Sequence, residues 1–571
     1  MALSMSMRLS TSINYYVKAL QLNSNHFRYY HSLSQRSKNF HRYQLFNTKS
    51  NNLDCSNEQW IVDDCESQSL VGKYIIHWRG EGVKGYSMQF RQLEFTNAYN
   101  AILQNDSNFG DGCSSNTITR SSSNINKVPA SFQFADATPS VDELDDAFGA
   151  MQYIRALNDD SDGDDQNATT NTTSKFISSS SYSLNYSSNL VKAAQRCSLV
   201  RHVYKIVAEG DTYKSLAHSA IDQRLLNDLM VENVDDNSTT RSKTSWSMRL
   251  RQYNTTDNKG KRFGTSKRSS MSQEKEALNS MSTLLQNFKG PVKLKKPDCP
   301  LYVFQGLIPS SSNINNDDDG HIKHELVLSR LIASGRKTSF IAPKTRICYT
   351  RTPLCPVAAF IMCNAGRIKD GDNVLDPYAG SCTTLLAATM IADVNSTVGI
   401  DIADNTTVNR DDIVKDFQSR SLNVPKSLIV GDCTDLKIRN EAREAINDRP
   451  FDVILADPPY GIREAIGGGD LKLDLDPPLI RLVECLAQDI KRGKPLLKKG
   501  GRLVAFVPEI EDSKKFPKEE ADVKEKKEEI NLQGIPNKTL IESAGLELVD
   551  MKEQPLSDSL SRWLVIYECI I

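Results

Sequence analysis

The chain has 571 residues, a formal net charge of -1 and charged residues at 25% of its length. That length allows more than one domain and a sizeable core. The near-neutral balance excludes a uniformly basic nucleic-acid binder, so any nucleic-acid contact must come from local patches. No apolar run approaches a membrane span, and no membrane role is expected. The 12 cysteines contain no C-x-x-C pair. Reduced thiols, with no metal site, are the expectation.

In chain order, the first acid is Asp54, preceded by Arg8, Lys18, Arg28, Arg36, Lys38, Arg42 and Lys49 among many Ser, Asn and Tyr residues. Residues 1–69 therefore read as a disordered extension or a transit peptide, which leaves mitochondrion or plastid as alternatives to the cytoplasm. Residues 70–345 read as an α+β region of two small units. Strands are predicted over 73–78, 200–208, 245–253, 292–294 and 301–306, with helices starting at 90 and spanning 274–288. Ser-, Asn- and Asp-rich stretches over 104–188, 233–244 and 310–320 read as insertions, because none can bury enough apolar surface to offset its ordering entropy. Arg249, Arg251, Tyr253, Lys259, Lys261, Arg262 and Phe263 form a basic, aromatic stretch suited either to nucleic-acid phosphates or to a solvated loop.

From 346 to 571 the pattern becomes alternating strands and helices, interrupted by a Lys/Glu run over 511–529. Strands are predicted over 373–376, 397–401, 427–430, 451–456, 501–508, 546–551 and 563–567. Helices are predicted over 356–365, 383–392, 479–491 and 538–544. Alternation implies a doubly wound, mostly parallel sheet, and the last two strands imply an antiparallel edge hairpin. That is the element order of a class I methyltransferase.

Such sheets bind ligands at the carboxyl ends of their strands. Four of these ends carry acids: Asp376, Asp401, Asp432 and Asp457. Asp376 opens a tight turn, with Tyr378, Ala379, Gly380 and Ser381 allowing close backbone approach. It is the expected acceptor for a methionine ammonium. Asp401, with Ile402 beside it, suits both ribose hydroxyls, and Asp432, beside Cys433, suits an adenine amino group. A dinucleotide-binding domain would also use Asp401. It would carry G-x-G-x-x-G after its first strand, which this chain lacks, as it lacks the phosphate-binding G-x-x-x-x-G-K-[ST].

The most informative segment is Asp457-Pro458-Pro459-Tyr460. The lone pair of a base amino group is delocalised into the ring, so methylating it needs acceptors that hold the amino hydrogens and favour a pyramidal nitrogen. Asp457 supplies a carboxylate. Pro458 lacks an N–H, and its ring fixes the direction of its carbonyl. Tyr460 suits stacking on a splayed-out base. Catalysis of this kind is mostly positioning and electrostatics.

The extended run Asp457-Pro458-Pro459-Tyr460-Gly461-Ile462-Arg463-Glu464 resembles the signature of the tRNA guanine-N2 methyltransferases acting at tRNA position 10. The upstream pieces 245–254, 273–275, 288–290 and 294–297 are similar to that family's RNA-binding THUMP region. Gly335-Arg336 and Thr352-Pro353 resemble its approach to the catalytic domain. The resemblance implies S-adenosyl-L-methionine as cofactor, tRNA as substrate and a cytoplasmic location. It also implies a small zinc-binding activator subunit on the catalytic domain. Arg463 becomes a candidate substrate contact. One departure bears on the methionine pocket: Cys382 stands where the family usually has glycine. The alternatives are a ribosomal RNA guanine-N2 methyltransferase and a catalytically inactive RNA-binding subunit.

Overall fold

The computed structural model describes residues 73–80, 85–108, 132–134, 151–156, 180–222, 226, 229, 244–252, 255–256, 262–263, 267–268, 271–288, 290–307, 326–348, 350, 353–404, 408–460, 477–510, 534–557 and 560–571. The extension over 1–69, the Lys/Glu run and residues 461–464 lie outside this set, as do the 310–320 insertion and all but the last residue of 233–244.

The N-terminal region begins with β1 (Lys73–Trp78), α1 (Met88–Asn108), β2 (Phe132–Phe134), β3 (Met151–Ala156), α2 (Ser180–Arg196), β4 (Val200–Gly210) and α3 (Tyr213–Asp222). It continues through β5 (Trp246–Gln252), the short strands β6 (Thr255–Thr256), β7 (Arg262–Phe263) and β8 (Lys267–Arg268), then α4 (Met271–Ser280), α5 (Ser282–Leu285), β9 (Cys299–Gln305) and β10 (Leu326–Ser334). Eight of these strands form one sheet in the order β2-β3-β1-β4-β10-β9-β5-β8. Among the described strand pairs of this sheet, only β5 and β9 run parallel. The predicted strands of this region thus share one sheet.

The structure corrects the reading of 104–188 as an insertion. That stretch holds the end of α1, both strands β2 and β3, and the start of α2. Phe132-Gln133-Phe134 and Met151 to Ile154 are short apolar alternations, which the Ser- and Asp-rich average of their surroundings hides. The predicted strand over 292–294 is reduced to a bridge between Trp246 and Val292.

The second region contains α6 (Pro356–Ala365), β11 (Asn373–Asp376), α7 (Thr383–Ile391), β12 (Ser396–Asp401), α8 (Arg410–Gln418), β13 (Ser427–Val430) and α9 (Leu436–Glu444). Then come β14 (Phe451–Ala456), α10 (Pro478–Lys491), β15 (Leu497–Ile510), α11 (Lys538–Ser543), β16 (Leu546–Ser557) and β17 (Leu560–Cys569). The sheet order is β13-β12-β11-β14-β15-β17-β16. β17 lies antiparallel to both neighbours, and the other pairings are parallel. This is the class I methyltransferase topology.

Its local causes are visible. Pro356 opens α6, whose side chains from Val357 to Ala365 are all buried, as an all-round apolar helix requires. Asn409 caps α8 by accepting from the amides of Asp411 and Asp412, and Asp435 caps α9. The central strands alternate between two cores. Val374, Val453, Leu455, Val504, Leu564 and Ile566 face one. Leu375, Ile454, Leu503, Val565 and Tyr567 face the other. Both faces are covered, as expected for parallel strands.

The two regions meet along α1 and α6. Glu94, fully buried on α1, accepts from Ser198 N (2.7 Å), Ser198 Oγ (2.8 Å), Leu199 N (2.8 Å) and Asn364 Nδ2 (3.2 Å). Arg502 and Arg367 both donate to Asn97 Oδ1 at 3.0 Å. Among the described residues no helix is long and apolar enough to cross a membrane.

Candidate active site

Strand order reverses between β11 and β14, which puts the turns after Asp376 and Asp457 side by side at the switch point. Asp376 is 2% exposed. Its Oδ1 accepts the Tyr378 amide at 2.9 Å and its Oδ2 the Thr384 hydroxyl. Burial pushes its carboxyl up to about 7 against these two hydrogen bonds, and the charges of Asp457 and Asp401 add to the rise. Asp376 therefore shapes the turn with both oxygens, and an ammonium would reach only its remaining lone pairs.

The turn itself is tightly tied. Gly380 has φ +47, and among the described residues a Cβ placed there would meet only Thr350 Cγ2, at 4.0 Å. Its amide donates to Asp401 Oδ2 at 2.7 Å, and the Ala403 amide donates to Asp401 Oδ1 at 2.7 Å. Ala379 and Ser381 are buried rather than open. Cys382, also buried, adopts a left-handed backbone at φ 59.

Along the rest of the cleft, Asp401 is half-buried and Ile402 is 64% exposed beside it. Asp432 Oδ1 accepts the amide and hydroxyl of Thr434, both at 2.8 Å, and Oδ2 pairs with Arg481 at 3.3 Å. Burial opposes ionisation of Asp432, but Thr434 and Arg481 outweigh it and hold the carboxyl below its ordinary range. Cys433 is buried, its thiol pushed up to about 12 by burial. Tyr378 donates to the Pro478 carbonyl at 3.0 Å.

At the second turn, Pro458 is buried, while Asp457, Pro459 and Tyr460 are half-buried. The Tyr460 hydroxyl donates to Asp457 Oδ1 at 2.7 Å. Arg562 Nη1, from β17, donates to the same hydroxyl at 3.0 Å and lies 3.9 Å from Asp457 Oδ1. Burial raises the Asp457 carboxyl, and Arg562 and Tyr460 oppose that rise.

The structure thus brings Asp376, Tyr378, Gly380, Asp401, Asp432, Asp457 and Tyr460 to one end of one sheet. It does not bring Arg249 and Arg251 there. They lie on β5 of the other sheet, opposite Tyr302 and Phe304 in register, and Arg251 also faces Arg268 of β8. Arg463, Lys259 and Lys261 lie outside the described residues. Among the described residues no group of three or more His, Cys, Asp or Glu is placed to hold a metal.

Sequence reasoning missed three arginines that support the site. Arg562 carried one legible signal: it is in phase with Leu564 and Ile566, so a cation sits on an inward-facing track. Arg346, buried, pairs with Asp416 at 2.6 Å and donates to Thr383 Oγ1 at 3.1 Å and to the Ser381 carbonyl. It fastens the turn after β11 to α8. Arg481 is the third, on Asp432. The last two pairings join residues 70 and 49 positions apart, and no local pattern reports them.

No family model matches the chain. It is 26% identical over 190 residues to the tRNA (guanine(10)-N(2))-methyltransferase of Gallus gallus, covering 31% of this chain and 39% of that protein. It is 28% identical over 197 residues to the Homo sapiens protein of the same name, with the same coverage. Against the tRNA (guanine(10)-N2)-dimethyltransferase of Methanocaldococcus jannaschii it is 32% identical over 119 residues, covering 20% of this chain and 31% of that one. The chain therefore spans 39% of the length of the first curated relatives it matches. Over the matched part it is related in sequence to proteins of that name. Among solved structures, TrmN from Thermus thermophilus superposes with a TM-score of 0.31 at 13% identity, over 87% of this chain and 100% of that one. The strand order, not this likeness, defines the fold.

Proposed function

We propose that this chain transfers a methyl group from S-adenosyl-L-methionine to the exocyclic N2 of guanosine 10 in tRNA, giving N2-methylguanosine. One observation carries the chemistry: Asp457-Pro458-Pro459-Tyr460 follows the fourth strand of a class I methyltransferase sheet, at its switch point, with the Asp457 carboxylate half-buried. The names of the sequence relatives support guanine and tRNA over a ribosomal RNA substrate or an inactive RNA-binding subunit.

The residues present fit the cofactor. Among the described residues open space lies before Gly380, a half-buried carboxylate ends β12, and an exposed Ile402 and an ionised Asp432 flank it. Asp401 would hold the ribose, Asp432 and Cys433 the adenine edge, and the turn over 376–381 the methionine end. The bound cofactor supplies an electrophilic methyl group. Asp457 and the Pro458 carbonyl accept the two amino hydrogens of the base, keeping the nitrogen lone pair available. Tyr460, its hydroxyl tied to Asp457, offers its ring to the base face.

The N-terminal sheet is the proposed tRNA-binding region, THUMP-like in role. Arg249 and Arg251, on β5, are its candidate phosphate contacts. A small zinc-binding activator subunit on the catalytic region is the proposed partner, and the cytoplasm the proposed location. The test is full-length protein with activator, labelled cofactor and unmodified tRNA, read by nucleoside mass spectrometry. N2-methylguanosine at position 10 is the expected product. Product in ribosomal RNA alone would overturn the tRNA assignment.

A further inference from the structure

We infer that Arg562 is a positioning residue of the transfer site: from β17 it locks the Tyr460 hydroxyl onto one oxygen of Asp457, leaving the other oxygen aimed at the substrate amino group. The inference rests on the functional reading above.

The hydrogen-bond polarity is forced. A guanidinium has only donors. Arg562 Nη1 therefore makes Tyr460 the acceptor at 3.0 Å, and the phenol proton is committed to Asp457 Oδ1 at 2.7 Å. Among the described residues only Oδ1 of Asp457 is engaged in this way. The Arg562 side chain is 7% exposed, against 22% for Asp457. It is itself held from two directions. Nε donates to Gln554 Oε1 of β16 at 2.7 Å, and its guanidinium carbon lies 3.8 Å from the centre of the Phe506 ring of β15. A cation this deep is costly unless its neighbours need it. Here the neighbours are the two polar side chains of the catalytic turn.

Other groups also face the cluster. Asp376, at the end of β11, repels the Asp457 charge. Tyr86 lies next to the guanidinium, and Cys355 next to Tyr86. Among these, Arg562 is the cation that offsets the burial of Asp457. Removing it should both free the Tyr460 ring and make Asp457 harder to ionise.

Two measurements test this. In single-turnover transfer to tRNA between pH 5.5 and 9, Arg562→Gln should lose about 100-fold at neutral pH through misplacement alone. Its acid limb should move to higher pH, with cofactor affinity within about twofold of wild type. Arg562→Lys, which keeps the charge without the fork, should recover the limb and part of the rate. A wild-type rate in Arg562→Gln, or an equal loss at every pH, overturns the proposal.

The second measurement needs no activity: thermal unfolding from pH 5 to 8 of wild type, Arg562→Gln, Asp457→Asn and the double variant. A carboxyl raised in the folded state costs stability as pH rises through its folded value. Arg562→Gln raises Asp457 further, so its penalty should grow with pH. In the Asp457→Asn background the penalty should be flat. The same pH-independent penalty in both backgrounds overturns the proposal. If wild type makes no N2-methylguanosine on any tRNA, the functional reading fails, while the unfolding series still decides whether Arg562 controls Asp457.

Discussion

The two sheets each bury carboxylates, and they treat them in opposite ways. Glu94, where α1 of the N-terminal region meets the second region, is fully buried and receives four hydrogen bonds from neutral donors. Asp457, at the switch point, receives one among the described residues, from Tyr460, has an arginine 3.9 Å away, and keeps a side chain 22% exposed. Burial raises the pKa of both groups, opposed at Glu94 by backbone amides and at Asp457 by a charge and a phenol. A carboxylate whose lone pairs are spent on its own protein is a clasp. One with an oxygen left unengaged among the described residues, beside a cation that opposes the rise in its pKa, is available for chemistry. Removing each group should therefore fail in a different currency.

Asp457→Asn carries the largest expected effect. Replacing an acceptor by a group that also donates should reduce methyl transfer by at least about 100-fold. Cofactor affinity and the unfolding midpoint should stay near wild type. Unchanged turnover in a single-turnover assay would remove Asp457 from the chemistry and collapse the contrast with Glu94.

Glu94→Ala should do the reverse. It strands the amides of Ser198 and Leu199 at a buried seam, which should cost about 3 kcal/mol of stability. Denaturant unfolding reads this directly. Transfer by the fraction that remains folded should be close to wild type. A loss under about 1 kcal/mol would mean that the seam is wet or loosely packed and that Glu94 is not the clasp.

Asp376 sits between the two cases. Its oxygens are engaged like those of Glu94, yet it faces charged neighbours like Asp457. Its folded value of about 7 lies above the ordinary value for an aspartate, about 4. The folded protein therefore binds this proton more tightly, and stability falls as pH rises through that window. Asp376→Asn should flatten the dependence of the unfolding midpoint between pH 4 and 7. A variant profile parallel to wild type would assign that slope to other groups.

The same contrast explains what was legible in the chain. Strands β11 to β14 are short apolar runs that each end at or just before an acid, and their bounds follow from the residues alone. Helices α8 and α9 carry too many charges for an apolar stripe to stand out, although Asn409 and Asp435 are ordinary caps. Strand β10 was not legible either, because Ser329 and Arg330 interrupt its apolar run and it follows an Asp-rich stretch. Its register with β4 joins segments more than a hundred residues apart, and no local period encodes that. At the site, the four strand-end acids were readable. The arginines that support the site were harder to read, because Arg562 on Asp457, Arg481 on Asp432 and Arg346 on the turn after β11 act across the fold on residues distant in sequence.

Backbone strain sets the turn after β11 apart, and it gives the smallest and sharpest test. Of the non-glycine residues at positive φ, Lys296, Arg367, Ser421, Asn447 and Asp448 are exposed or half-buried, whereas Cys382 is buried. It sits between the turn that Arg346 fastens and the first residue of α7. A left-handed backbone costs a side-chain-bearing residue about 1–2 kcal/mol. Cys382→Gly relieves that cost but removes a buried thiol and loosens the unfolded chain, each an opposing term of about 1 kcal/mol. The net change in stability should be under about 1 kcal/mol, within reach of calorimetry. Cys382→Val has nearly the same bulk but is branched where the backbone tolerates it least, and should lose about 2–3 kcal/mol. If the two variants lose equal amounts, packing rather than backbone conformation governs the position. The substitution of cysteine for the glycine usual in the resembled family would then be a repacking of the core. If only the valine variant suffers, the turn is held in its left-handed form by its surroundings, and Cys382 is tolerated because Arg346 and Asp401 have already fixed the loop on either side of it.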